Sequence, residues 1–198
     1  MESLANTVSQ MPTAAVDGVW QRHIPARYLS QALFGQVSRS RWGTAGGFPI
    51  LHLGAPTDSV VVEAYRHLVD PVEGQIAAHV APRLLVTCTV DVSNLLDLRT
   101  AAARINTGLS TAVLTASVSD RAAYEACQEV AAVAHQVGLH GLIAPAATLL
   151  GHTLALFTEN LPDNERPVLL DNELWDELPP DPRAPRRLGL RVVHITDE

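Results

Sequence analysis

The sequence predicts a mixed α+β domain, and three observations carry that prediction. Short apolar runs bounded by glycine and proline, the pattern of strands, occur early in the chain and again late. Isolated stretches of helical periodicity stand between them, around residues 57–69 and 121–137. The order is strands first, single helices between, then strands again, which suits a mixed sheet with packed helices better than a regular βαβ array.

Taken in order, residues 1–17 are largely polar at their start and read as a poorly ordered tail ahead of a single domain over 18–198. Residues 18–24 read as a strand, and residues 49–53, apolar between Gly47 and Gly54, as a second. A glycine-rich loop joins them. Thr57 or Asp58 is placed to cap a helix to about Val69, because Val60, Val61, Ala64, Tyr65 and Leu68 recur at helical spacing, with Glu63 off that stripe. Residues 84–90 read as a strand, and residues 94–98 lead into an Ala/Thr/Ser-rich stretch, 100–119, to which no element is assigned. The clearest helix is 121–137, with Ala123, Ala126, Cys127, Val130, Ala134 and Val137 on one face and Gly138 as its stop. Residues 141–144 and 153–157 read as strands. Residues 162–185 carry turn and linker chemistry around a short helix near Leu174, and 188–195 read as a last strand.

Composition narrows the function. A chain of 198 residues, 47% hydrophobic and 18% charged, has enough apolar material for one core. Its net charge of −7 argues against a nucleic-acid partner, since grip on a phosphate backbone needs surplus cations. All 14 basic residues are arginine, which removes every Schiff-base and P-loop lysine mechanism. The basic residues Arg183, Arg186 and Arg187, set among prolines, read as a solvated linker. Cys88 and Cys127 lack CxxC spacing and read as buried thiols, while His135, His140, His152 and His194 are scattered without an HExxH pattern, so no metal is assigned. No GxSxG motif occurs. No apolar run approaches the roughly 20 residues of a membrane span, and no secretory signal opens the chain, so the expected location is the cytoplasm.

The stretch from Arg39 to Glu63 is the most informative. It sets an arginine and a tryptophan before a glycine-rich turn, a short apolar strand, and a helix carrying one carboxylate. Glycines let backbone approach a ligand closely, and arginines make charge-assisted hydrogen bonds to phosphate, so together they suggest a phosphorylated ligand. Each piece also has a plain reading: Arg41 as a surface charge, the glycines as a hairpin turn, Glu63 as a helix-surface partner of Arg66 and His67.

The order of these pieces resembles the RES domain, in which a strand ending in Tyr-Arg is followed by Gly-Arg-Trp-Asn, by Gly-x-Pro-x-x-Tyr-Leu-Ala, and by an apolar run ending in Glu. Here the counterparts are Val19-Trp20-Gln21-Arg22, Ser40-Arg41-Trp42-Gly43, Gly47-Phe48-Pro49-Ile50-Leu51-His52-Leu53-Gly54 and Val60-Val61-Val62-Glu63. The segments from Val90 to Leu98 and from Gly141 to Ala147 continue the likeness, which covers roughly residues 18–160.

The resemblance implies an ADP-ribosyltransferase-like fold and a toxin that cleaves NAD at its nicotinamide–ribose bond, as a glycohydrolase or phosphorylase, and is neutralised by a cognate antitoxin. The alternatives it implies are transfer of ADP-ribose to a protein, or a catalytically impaired binding protein. NAD is then a substrate, and no cofactor is expected. The partner would be a helix-turn-helix antitoxin in a mixed oligomer. By the same resemblance Arg22 and Arg41 hold the pyrophosphate or ribose side of NAD, and Glu63 is the catalytic carboxylate, with Arg41 counted beside it. Two departures stand out. His52 replaces the usual tyrosine and keeps a ring able to stack on the ligand. The family's serine falls at Glu125, which either borders the NAD pocket or lies on the solvated helix face with Arg121 and Glu129. An alternative placement of that serine gives Ala146.

Overall fold

The computed structural model describes residues 3–184. Six strands, β1 (Thr13–Pro25), β2 (Ile50–Ala55), β3 (Arg83–Asp97), β4 (Gly141–Pro145), β5 (His152–Phe157) and β6 (Val168–Trp175), form a mixed sheet. Among the described residues five α-helices accompany it: α1 (Leu4–Ser9), α2 (Thr57–Leu68), α3 (Ala101–Thr107), α4 (Thr111–Thr115) and α5 (Arg121–Gln136). The α+β class read from the sequence is the observed one.

The sheet consists of two antiparallel halves, β1–β3–β6 and β2–β5–β4. They are joined twice. At one junction β3 and β4 run parallel over Leu95–Asp97 and Gly141–Ile143. At the other, β1 and β2 meet at the single pair Gln21 and Gly54, so the strands close into a ring. Trp20, Leu51, Leu53, Val90, Leu95, Ile143 and Leu154 fill the space between the halves. Burial of such side chains is the main favourable term in folding, about 1.5–3 kcal/mol for a fully buried aliphatic or aromatic side chain.

Helix α5 covers the β4–β5 face. Asp120 caps it by accepting from the Ala123 amide at 3.1 Å, and Cys127, Val130, Ala131 and Ala134 pack with Phe157, Leu142 and Trp42. Gly141 makes its strand possible in that place, because a Cβ there would strike the Ala155 carbonyl oxygen and sit 3.0 Å from Leu156 Cα. Helix α2 places Val60, Val61 and Ala64 on Leu85, Trp175 and Leu178. No side chain caps α2: Thr57 Oγ1 instead donates to Gln21 Oε1 at 2.7 Å.

Several expectations need correction. The segment 1–17 does not stay apart as a tail: from Leu4 it forms α1, whose Val8 is buried against the α5 core, and β1 starts at Thr13, well before Gly18. Residues 100–119 hold α3 and α4, each capped by a hydroxyl, Thr100 to the Ala103 amide and Ser110 to the Val113 amide. Residues 84–90 and 94–97 belong to one strand, β3, which passes through Asn94 at φ 54°. The stretch around Leu174 is not helical. It is β6, which lies along β3 from Thr89 to Arg83 and satisfies backbone groups that β3 would otherwise present unpaired. The strand expected at 188–195 lies outside the described residues. No described helix is long and apolar enough to cross a membrane.

Candidate active site

Where β1 and β2 part on either side of their single pairing, a cavity of about 480 Å³ opens, within the size range of small-molecule sites. One wall is Gln21, Arg22 and His23 of β1, and the facing wall is His52, Leu53 and Gly54 of β2. Helix α2 contributes Ser59, Val60, Glu63, Arg66 and His67, and the loop 38–42 closes over the top with Arg39, Ser40 and Arg41. Tyr124 reaches in from α5.

The loop is held from below. Gln128 Nε2 on α5 donates to the carbonyls of Ser40 (2.8 Å) and Gly43 (3.1 Å), and the Ser40 amide donates to the Gly43 carbonyl at 2.9 Å. A side chain at Gly43 would meet the Ser38 carbonyl oxygen at 2.9 Å, so this closure requires glycine. Trp42, the tryptophan of the motif, is buried in the α5 core and anchors the loop.

Four of the residues singled out in the sequence, Arg22, Arg41, His52 and Glu63, line this one cavity. Arg22 Nη1 donates to the Ala32 carbonyl at 3.2 Å, while its Nε is buried with no partner among the described residues. Burial pulls the Arg22 pKa down, with the Cys88 thiol opposing weakly. Burial, then the positive charges of Arg22 and His67, lowers the His52 pKa to about 4, so its ring is neutral at physiological pH. His52 Nε2 lies 3.3 Å from Ser40 Oγ. His23 is lower still, at about 3, through burial and the adjacent Arg83, whose guanidinium donates to His23 Nδ1 at 2.9 Å. The Glu63 carboxylate stands at the mouth, 41% exposed, with His67 3.5 Å away. Arg66 bonds the Ala147 carbonyl through Nη1.

Arg41 is more tightly tied than a free anion-binding group. Its Nη1 donates to the Val113 carbonyl at 2.9 Å and its Nη2 to the Ala116 carbonyl at 2.7 Å, so it closes the end of α4. Glu125 is not among the cavity's lining residues. It borders a smaller adjoining cleft of about 220 Å³, and its carboxylate accepts from Arg121 Nε at 2.9 Å, the helix-surface pairing that spacing also allowed.

Sequence reasoning passed over Gln21, His23, Arg39, Arg66, His67 and Tyr124 as ligand-facing groups. Arg39 lines both cavity and cleft although it matches no motif position. Tyr124 precedes Glu125, and one residue is about 100° around a helix, so the position next to the motif match is the one that faces inward. Four arginines, Arg22, Arg39, Arg41 and Arg66, thus border one cavity in a chain of net charge −7. Such focused positive potential, with one carboxylate among it, suits an anionic ligand whose reaction develops positive charge. Among the described residues no group of three or more His, Cys, Asp or Glu is placed to hold a metal ion.

Comparison with known proteins gives matches of two kinds. The RES domain family model matches residues 15–176. A chain in the crystal structure of the M. tuberculosis MbcT–MbcA toxin–antitoxin complex has a similar fold, with a TM-score of 0.71 and 22% sequence identity over 87% of this chain and 91% of that one. No curated protein matches the sequence.

Proposed function

The chain belongs to the RES domain family, and on that premise we propose that it is a toxin that cleaves NAD at the nicotinamide–ribose bond. The observation that carries the reading is the cavity itself, which sets the single carboxylate of Glu63 at the mouth of a pocket bordered by four arginines. A dinucleotide offers the matching chemistry: two phosphates for the positive potential that the arginines focus on the cavity and a ribose whose C1′ becomes cationic in the reaction.

In this mechanism the bond from C1′ to the nicotinamide nitrogen breaks, and its electron pair leaves with neutral nicotinamide. The ribose becomes oxocarbenium-like, and the Glu63 carboxylate stabilises that charge in the transition state. Water or another small nucleophile then adds to C1′ and gives up its proton. The exposure of Glu63 favours a small acceptor arriving from solvent. His52 supports the same chemistry. A neutral imidazole presents a flat face to the ligand without adding a cation beside the one being formed.

The partner in this reading is an antitoxin protein with a helix-turn-helix, which supplies the DNA contact that the acidic chain does not favour, and the setting is the cytoplasm. The likeness to a chain from a toxin–antitoxin complex supports a proteinaceous inhibitor. The test is to incubate the purified chain with NAD and follow free nicotinamide by chromatography, then add the product of the adjacent reading frame. Release that the second protein suppresses is expected. A folded chain that leaves NAD intact would overturn the reading.

A further inference from the structure

We propose that Tyr124 is a ligand-contacting residue that donates its hydroxyl to a sugar or phosphate oxygen of the nucleotide, and that Arg41 is a positioning residue acting through it. The proposal rests on the NAD reading above and reassigns the role the RES-like motif gives to Arg41.

Three observations lead to it. First, the Arg41 guanidinium is fixed by its two carbonyl partners at the end of α4, and in that position it lies over the Tyr124 ring, 4.5 Å from the centroid. A cation so placed is attracted by the ring face and clamps the aromatic side chain. Second, Tyr124 lines both the cavity and the adjoining cleft, so its ring belongs to the wall they share. Third, no hydrogen-bond partner reaches its hydroxyl among the described residues. The hydroxyl is not among the buried polar atoms left without a partner, so it is open to solvent, and a ligand oxygen can take the place of water there. Burial raises the phenol pKa, with Arg41 opposing and Glu63 assisting, so the proton stays on the oxygen at neutral pH.

The chemistry of the ligand follows from the donor. A protonated phenol selects an oxygen acceptor, and the arginines around it select one that belongs to a phosphorylated sugar. Arg41 then contributes by holding the ring that presents this donor.

The experiment measures NAD turnover and ADP-ribose affinity for the native chain and for Tyr124→Phe, Tyr124→Ala, Arg41→Lys, Arg41→Ala and the double variant Arg41→Ala with Tyr124→Ala. Tyr124→Phe keeps the stacked ring and loses only the hydroxyl. It is expected to raise the KM for NAD and weaken ADP-ribose binding about tenfold, with a far smaller change in kcat. Arg41→Ala should raise KM in the native background but add nothing once Tyr124 is alanine. If Arg41→Ala does not fold, Arg41→Lys, which keeps the charge but loses the planar fork, should show the same shift in KM. Tyr124→Phe with native KM and native ADP-ribose affinity overturns the proposal, as does multiplication of the Arg41 and Tyr124 effects in the double variant. Failure of the NAD reading looks different: the native chain releases no nicotinamide, and the proposal is then decided on ADP-ribose affinity alone, falling if the native chain does not bind it.

Discussion

Glu63 Oε1 and His67 Nε2 stand 3.5 Å apart, one turn along α2, with both side chains more than a third exposed. Such an i,i+4 contact at a surface contributes only about 0.3–0.5 kcal/mol, so the pair does little for the fold. Glu63→Gln is therefore expected to leave the melting temperature nearly unchanged. Under the proposed chemistry it should retain NAD binding by calorimetry while nicotinamide release falls about 10²–10³-fold. Cells that the native chain arrests should tolerate its expression. Native turnover by this variant would refute the role given to Glu63.

Arg22 is a charged group held in the cavity wall with one nitrogen unpartnered. Its desolvation costs the unliganded protein stability that an anionic ligand would return. Arg22→Met is expected to melt at or above the native temperature without ligand. Saturating ADP-ribose, which should raise the melting point of the native protein, should shift this variant far less. A differential scanning measurement with and without ligand reads both effects.

Stability should fall between pH 7 and pH 4. Burial lowers His52 to about 4 and His23 to about 3, whereas in the unfolded chain both titrate near 6.5. The unfolded state therefore binds protons that the folded state refuses, so the contribution of these histidines is complete above pH 6.5 and is lost as pH drops toward 4. Urea unfolding at pH 7 and pH 5 should show the decline. The paired substitution His23→Gln and His52→Gln should flatten it.

Gly141→Ala should damage the fold without touching the chemistry. Its Cβ would collide with backbone of β5, at the Ala155 carbonyl and Leu156 Cα, which cannot yield as a side-chain tip can. A loss of about 1–3 kcal/mol is expected from such overpacking. Thermal unfolding checks this, and nicotinamide release per folded molecule should stay near native.

How much of this was legible in the chain depended on whether the signal was local. Helix α5 carries its own stripe and its Gly138 stop, and β2 is a short apolar run between glycines, so both read directly. Strand β6 does not. Seven of its eight residues are exposed, so no alternation marks it, and its existence depends on a free edge of β3 some 80 residues earlier in the chain. Likewise α1 shows only Val8 as its buried anchor. At the site, Arg22, Arg41, His52 and Glu63 emerged from the order of motif-like segments, not from spacing. Tyr124 and Arg39 join them only because Gln128 fastens the loop 38–43 onto α5, a contact between residues more than 80 apart. The order of the RES-like segments points to Glu125, and helical geometry turns it one step aside.

The single pairing of Gln21 with Gly54 gives the ring of strands a seam. Everywhere else around that ring, separating neighbours means breaking a ladder of several bonds at once. At the seam it means breaking one pairing. Breathing of the fold is therefore directed to the place where the cavity lies, and backbone atoms of Arg22, His23 and Leu53 along its margins are not consumed by β1–β2 pairing. Amide hydrogens of β2 that face β1 should exchange with solvent sooner than those buried between β2 and β5, and a bound nucleotide, spanning the two lips, would act as the clasp that slows them.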